Sequence, residues 1–261
     1  MKAQDLKNSI LQLAIQGRLV AQDANDEPAE VLYAKIQAEK QKLIKEGKIK
    51  KDKPLPPIAD DEIPFEIPST WKWVRLGDIF NIVMGQSPDG DSVSHVALNG
   101  IEFHQGKSFF SETYLLHSDV YTNSPTKIVE NNTNILCVRA PVGIVNITER
   151  KICIGRGLCG VVIYNQLVAL KLLFYFLQSM ENDFNKKSTG TTFKAITGDV
   201  VSQQLFPLPP LAEQKRIVAK IEELEPLVKQ YDKAETELSA LNGSFPEQLK
   251  KSILQYAIQG K

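Results

Sequence analysis

The stretch Lys151-Ile-Cys-Ile-Gly-Arg-Gly-Leu-Cys-Gly-Val-Val-Ile-Tyr164 decides the fold class of the central part of the chain. Two short apolar runs flank Gly155-Arg-Gly157, which predicts two strands joined by a tight turn. The stretch also matches the G-x-G-x-x-G pattern of dinucleotide sites. Such a site needs a helix after the glycines, whereas Val161-Val-Ile-Tyr164 is typical of a strand. We therefore predict no cofactor on this chain, and a turn that leaves Arg156 free to reach a phosphate.

Further β-rich runs, separated by glycine and asparagine turns, extend on both sides of this stretch from Thr70 to about Phe206. Leu167 to Met180 predicts a helix, because it is long, rich in leucine and free of glycine and proline. The sequence thus predicts a mixed α+β fold with a β-rich globular domain. The predicted strands are Trp71 to Leu76, Ile101 to Phe103, Thr126 to Val129, Asn134 to Arg139, Val142 to Ile147, Lys151 to Ile154 and Leu158 to Tyr164.

Nearly the same thirteen-residue sequence appears at both ends of the chain, as Leu6 to Arg18 and as Leu249 to Lys261, with ten identical positions. Each copy predicts a short helix with an apolar face and with a glycine, Gly17 or Gly260, where it stops. The predicted face of the first copy comprises Ile10, Leu13, Ala14 and Gly17. A repeat at opposite ends indicates one unit of a larger repeating arrangement.

Proline-rich segments divide the chain. A helix predicted from Pro28 to about Glu46 precedes one such segment, and Pro207-Leu-Pro-Pro-Leu211 forms another; prolines remove backbone donors and favour extended conformations. We therefore predict N-terminal helices at 1–47, a linker at 48–69, a globular domain at 70–206, and a long helix with a short terminal helix at 207–261.

The predicted long helix carries apolar residues at alternating steps of four and three, which is typical of a coiled coil. Its seam comprises Ile217, Ile221, Leu224, Val228, Tyr231 and Leu238. The seam either pairs with a partner or packs on its own domain. We expect Pro226 to bend or break the helix, Asn242-Gly243 to end it, and Ser244 to cap a last short helix.

The composition excludes several classes of protein. Apolar residues make up 43% and charged residues 24% of the 261 residues, as in ordinary folded proteins. The longest apolar stretch, Leu167 to Leu177, is shorter than the roughly 20 residues that cross a bilayer, and the N-terminus lacks a signal-peptide pattern. We expect a cytoplasmic protein with no membrane partner.

Neither a metal site nor a catalytic constellation is evident in the sequence. The cysteines form no Cys-x-x-Cys pair and the histidines no metal motif. We therefore expect no metal and no enzymatic activity of the chain itself. These residues are Cys137, Cys153 and Cys159, with His95, His104 and His117.

Polar loops with scattered cations are the candidate functional residues. Lysine, serine and threonine bind phosphate oxygens, and arginine reads base edges in the major groove. Taken alone, the hydroxyl-rich segment Lys186 to Lys194 is more typical of a solvated loop. The predicted DNA-binding residues are Lys107, Arg139, Arg156, Lys186, Lys187, Thr191, Thr192 and Lys194.

Four motifs together resemble the DNA specificity subunit of type I restriction–modification enzymes. They are Ile67-Pro-Ser-Thr-Trp-Lys-Trp-Val-Arg-Leu-Gly-Asp78, Ala140-Pro-Val-Gly143, Gly190-Thr-Thr-Phe193 and Leu208-Pro-Pro-Leu-Ala-Glu-Gln-Lys-Arg-Ile-Val218. The resemblance implies a non-catalytic subunit that recognises a sequence in double-stranded DNA. It also implies methyltransferase subunits as partners, which bind S-adenosylmethionine and methylate adenine, and a motor-nuclease restriction subunit as an optional partner.

Members of that family usually carry two recognition domains and two conserved helices, whereas this sequence contains one of each. The resemblance therefore implies a half-length form, in which the helix seam pairs two copies that read a bipartite palindromic site. The alternative is a protein-binding adaptor, or a decoy that occupies the methyltransferase subunit without reading DNA. The balance of 31 basic and 31 acidic residues favours this alternative. Salt-dependent DNA binding distinguishes the two.

Overall fold

The structure is a computed structural model that describes residues 2–51, 53–97, 100–164, 167–190 and 194–260. It confirms the predicted mixed α+β fold. The helices of the described residues are α1 (Ala3–Ile15), α2 (Ala29–Lys45), α3 (Leu76–Ile79), α4 (Leu170–Ser179), α5 (Glu181–Lys187), α6 (Gly198–Gln203) and α7 (Leu211–Ile258). The strands are β1 (Lys72–Arg75), β2 (Phe80–Met84), β3 (Val93–Ser94), β4 (Ile101–His104), β5 (Tyr121–Thr122), β6 (Ile128–Val129), β7 (Thr133–Cys137), β8 (Val145–Thr148), β9 (Ile152–Ile154), β10 (Leu158–Ile163) and β11 (Leu205–Leu208).

The strands of the described residues form three sheets. One has the order β2-β10-β7-β8 and is antiparallel, and a second has the order β3-β5-β4-β9-β6, in which only β4 and β9 run parallel. Strands β1 and β11 pair by themselves. All seven predicted strands are present, and the tight turn between β9 and β10 is confirmed by a 3.0 Å bond from the Leu158 amide to the Gly155 carbonyl.

Four strands were not predicted from the sequence. Strands β3 and β5 have two residues each, too short for a period of two to appear. Strand β2 follows the four-residue helix α3 without a turn signal. Strand β11 contains Pro207, and it accommodates a residue without an amide hydrogen because it pairs on one edge only.

The main core lies between the central sheet and the helices. Helix α4 is buried from Leu172 to Leu177, beside β7 and β8. Helices α1 and α2 contribute to the same core. The predicted face of α1 is confirmed in part, because Ala14 and Gly17 are buried and Ile10 is half-buried. Leu13 is exposed, and the buried face of α1 comprises Ala3, Leu11, Ala14 and Ile15. This face follows the spacing of three and four that α1 needs to contact α7 and α4 together.

The long helix α7 differs most from the prediction. It continues through Pro226 and Asn242-Gly243, so that neither a break nor a separate terminal helix is present. A proline removes one backbone hydrogen bond, and a glycine costs about 1 kcal/mol relative to alanine, whereas contacts of α7 with the body hold the helix on both sides of Pro226. Gly260, with a φ of +66°, follows the helix end as predicted.

The two halves of α7 have different environments. The first half packs on the chain itself, and Glu235 accepts the last contact with α1, a bond from the Ala3 amide. From Thr236 to Gly260, which we call the arm, every described residue except Ser244 is exposed. No helix of the described residues is long and apolar enough to cross a membrane.

Candidate nucleic-acid interface

Loops from distant parts of the chain meet at one edge of the sheets. Strand β10 runs antiparallel to β2 and β7, so its first residues lie beside the last residues of both. Strand β4 runs parallel to β9, so these two also end at this edge. The loops that follow β2, β4, β7 and β9 are therefore neighbours, although more than 50 residues separate Met84 from Cys137 in the sequence.

Backbone hydrogen bonds fix these loops to one another. The Gln86 amide donates to the Ile154 carbonyl at 3.0 Å, and the Gly155 amide donates to the His104 carbonyl at 2.8 Å. The amide of Ala140 donates to the carbonyl of Lys194 at 3.1 Å. The sheets thus hold the loops in place before any ligand binds, which reduces the ordering cost of recognition.

Glycine is required where the loops approach most closely. A Cβ atom on Gly157 would lie 2.4 Å from the Gln105 carbonyl oxygen, and one on Gly85 would lie 2.1 Å from the Gly155 carbonyl oxygen. Both distances are shorter than any tolerated contact. Gly157, which belongs to the stretch that resembles a nucleotide-binding motif, therefore serves the packing of one loop against another, as Gly85 does.

Polar and cationic side chains converge on this edge, which we call the basic loop surface. The Ser87 hydroxyl donates to Gln105 Oε1 at 2.8 Å and accepts from Arg156 Nε at 3.4 Å. A pocket of about 190 Å³ opens beside them, between Gln105, Lys107, Arg139 and Gly157. The basic loop surface comprises Ser87, Gln105, Lys107, Arg139, Arg156 and Lys194.

The four cations of this surface are exposed, and none of them forms an ion pair within the part of the chain that the structure describes. Neighbouring cations differ in this respect. Lys151 pairs with Glu130 at 3.0 Å, and Arg150 pairs with Glu102 at 2.7 Å. Unpaired cations on a rigid surface are available to an anionic partner without the loss of an internal contact.

A charged cluster below this edge was missed in the sequence. Glu102 accepts bonds from Arg150 Nε at 2.8 Å and contacts His104 at 3.2 Å and His117 at 2.5 Å. Burial alone would raise the pKa of Glu102, but bonds to Arg150, His117 and His104 lower it to about 2. Arg150 also donates to the carbonyls of Leu115 and Leu116, so the cluster fixes the loop between β4 and β5.

Comparison with known proteins identifies the family. The type I restriction modification DNA specificity domain matches residues 68–237. The chain belongs to this family. It is 34% identical over 232 residues to the EcoAI specificity subunit of Escherichia coli, a match that covers 84% of this chain and 39% of that subunit. The chain thus spans less than half the length of this relative.

Solved structures of similar proteins have the same fold as this specificity domain. The crystal structure of the HsdS subunit from Thermoanaerobacter tengcongensis matches with a TM-score of 0.60 and 28% identity, over 99% of this chain and 58% of that one. A structure from work on complex assembly and conformational transition of the type I R-M system matches with a TM-score of 0.61 and 28% identity. This match covers 98% of this chain and 58% of that one.

The specificity domain brings some of the predicted DNA-binding residues together and separates others. Lys107, Arg139, Arg156 and the backbone of Lys194 lie at the basic loop surface. Lys187 instead donates to Gln204 at 2.7 Å, and Lys186 lies 3.8 Å from Asp183. The other two predicted residues, Thr191 and Thr192, lie outside the described residues.

The predicted helix seam is also divided. Ile217 and Ile221 are buried in the core of this chain, so the prediction that they face a partner is wrong for an assembly in which α1 stays docked. Leu224 and Val228 are half-buried, and Tyr231 and Leu238 are exposed. The seam therefore packs on its own domain at its start and is open to a partner toward the arm.

Proposed function

We propose that the chain is the non-catalytic DNA-recognition subunit of a type I restriction–modification methyltransferase, and that it reads a specific sequence with the basic loop surface. The single observation that carries the proposal is the group of four cations, without an ion pair among the described residues, on mutually bonded loops of a specificity domain. Arg139 and Arg156 suit guanine edges, Gln105 suits adenine, and Lys107 and Lys194 suit phosphates.

Pairing of two copies follows from the exposed half of α7. Large apolar side chains at regular helical steps continue along the arm, among them Leu238, Leu241 and Phe245, which are about 60% exposed. Such a stripe needs an opposing surface. Two copies related by a two-fold axis would present identical recognition domains in opposite orientations, so the target would be a bipartite palindrome.

The partners of this assembly follow from the family. We infer that methyltransferase subunits, which bind S-adenosylmethionine and modify adenine, dock on the helices, and that a restriction subunit joins in the complete complex. The EcoAI relative is named as the specificity subunit of a type I restriction enzyme. The chain then acts in the cytoplasm, and when purified alone it neither methylates nor cuts DNA.

Salt-dependent binding tests the proposal. We expect Lys107 to contact only phosphate. The variant Lys107→Ala should therefore weaken binding to all DNA sequences about equally and lower the salt slope by about one. The variant Arg139→Ala should reduce discrimination at one base pair, by about 1–3 kcal/mol. Lys151→Ala is the matched control, because Lys151 is an exposed lysine of the same domain that is paired with Glu130.

Two results would contradict DNA reading by this surface. One is unchanged affinity and salt slope in a variant that combines Lys107→Ala with Arg139→Ala. The other is the absence of DNA binding at low salt by wild-type protein that binds the methyltransferase subunit, since this is the behaviour of an adaptor or decoy.

A further inference from the structure

The two copies of the terminal repeat have opposite environments. In α1, Leu11, Ala14 and Ile15 are at most 8% exposed. The corresponding residues of the arm are Leu254, Ala257 and Ile258, and the leucine and isoleucine are 53% and 85% exposed. The same apolar face is thus buried once and uncovered once in a single chain.

The differences between the copies lie on the solvent side. Three positions of the repeat differ, and in α1 they are Asn8, Leu13 and Arg18. All three are exposed. Their counterparts are Lys251, Tyr256 and Lys261. Every position that α1 buries within the repeat is therefore identical in the arm.

The glycine at the end of each copy has the same backbone conformation. Gly17 has a φ of +69°, and a Cβ atom there would lie 2.5 Å from Pro68 Cγ. Only glycine can occupy this position, because both the conformation and the space exclude a side chain. Gly260 keeps the residue type and the conformation, with a φ of +66°, although nothing lies near it.

The surface that receives α1, which we call the α1 groove, is formed by α7, α4 and the segment near Trp71. Helix α1 runs antiparallel to α7. At one end the Ala3 amide donates to Glu235 at 3.2 Å, and beyond the other end Gln22 donates to Glu213 at 2.5 Å. A helix with the same buried face can occupy this groove in the same direction.

We propose that the arm of one copy docks in the α1 groove of a second copy and takes the place of α1 there. This inference rests on the proposed pairing of two copies and assigns its contact surface. The register of α1 on α7, transferred to the arm, places the two-fold axis within one helical turn of Ala240. Leu238, Leu241 and Phe245 then lie at the centre of two antiparallel helices.

The two occupants of the groove are closely matched. They share the buried residues of the repeat, but Pro246, at the position of Ala3, has no amide hydrogen for Glu235. Helix α1 therefore has the advantage within a single chain. Once Leu238, Leu241 and Phe245 pair two copies, the partner's arm is held beside the groove at a high effective concentration and competes there with α1.

Assembly of full-length variants tests the exchange. Leu254→Asp should weaken self-association, measured by sedimentation, by more than about tenfold, since it places a charge on the docking face. Tyr256→Asp is the matched control: it adds the same charge two residues away, on the face that α1 exposes, and should leave self-association unchanged. Both sites are exposed in the single chain, so both variants should fold.

A cross-link between copies tests the register. Lys7 lines a cavity with Glu225, so Lys250→Cys in one copy should cross-link to Glu225→Cys in another through a short thiol-reactive linker. Lys251→Cys, which matches the exposed Asn8, should not. The three native cysteines are buried, and burial raises the pKa of the Cys137 and Cys159 thiols to about 12, so they should react little.

The outcomes separate this inference from the pairing itself. If Leu238→Asp prevents self-association and Leu254→Asp does not, the exchange is wrong and the pairing stands. If neither variant alters the assembly, the pairing is wrong as well. Equal cross-linking from Lys250→Cys and Lys251→Cys would also overturn the exchange.

Discussion

Helix α7 consists of two halves that are continuous in the backbone and opposite in environment. The half from Leu211 to Glu235 buries Ile217 and Ile221 against α1 and α4 and forms ion pairs with the body of the protein. The arm that follows also carries large apolar side chains along one stripe, but this stripe has no partner in the described chain. A helical pattern therefore predicts a surface that needs covering, but it does not say whether the same chain covers it.

The largest expected difference between these environments is in stability. Leu11→Ala should lower the free energy of unfolding by about 2–5 kcal/mol, because it removes a buried side chain from a packed core. Leu254→Ala, at the same position of the repeat, should change it by less than about 0.5 kcal/mol at concentrations where the chain is monomeric. Urea unfolding followed by tryptophan fluorescence measures both, since Trp71 and Trp73 lie in the body.

Equal losses in the free energy of unfolding for Leu11→Ala and Leu254→Ala would show that the arm is docked on its own chain. Leu13→Ala serves as the internal control of the first copy, because its side chain is exposed in α1. It should behave like the arm variant and not like Leu11→Ala.

A smaller effect should separate the body from the arm by their response to acid. Glu102 has a folded-state pKa of about 2, below the usual value of 4.5. Its contribution to stability is therefore complete above pH 4.5 and lost as the pH falls toward 2. In Glu102→Gln, the difference in stability from wild type should shrink over this window. Glu247→Gln, at an exposed position of the arm, is the control and should leave the stability unchanged.

Unfolding at a series of pH values measures this effect by tryptophan fluorescence. A difference between wild type and Glu102→Gln that stays constant from pH 5 to pH 2 would contradict the role given to the bonds from Arg150, His104 and His117.

Local patterns predicted much of the fold. Short runs of apolar and β-branched residues predict the strands around the turn at Gly155 to Gly157, and a long leucine-rich run without glycine or proline predicts helix α4. The bounds of α7 did not follow from such patterns. Contacts with the body on both sides of Pro226 outweigh this local stop signal, and Gly243, which costs about 1 kcal/mol, lies in the exposed arm without ending the helix. The exposed Leu13 shows the same limit: the pattern predicts an apolar face, but packing against two helices selects its direction.

The candidate site was predicted only in part for a related reason. Residue types identified Lys107, Arg139 and Arg156 singly, but only the pairings of β4 with β9 and of β10 with β7 bring their loops together. Ser87 and the Glu102 cluster have no signal in the sequence, since their roles depend on partners that lie far along the chain. The separation of Lys187 from the other cations is likewise a property of the tertiary structure.

Selection from a pool of random duplex DNA tests the central claim most directly. The full chain, together with its methyltransferase subunit, should enrich an interrupted inverted repeat, because two identical recognition domains related by a two-fold axis read identical half-sites. Leu238→Asp should abolish the two-part character of the enriched sequence. Enrichment of an asymmetric two-part sequence by the wild-type chain, or of no sequence at all, would contradict the account.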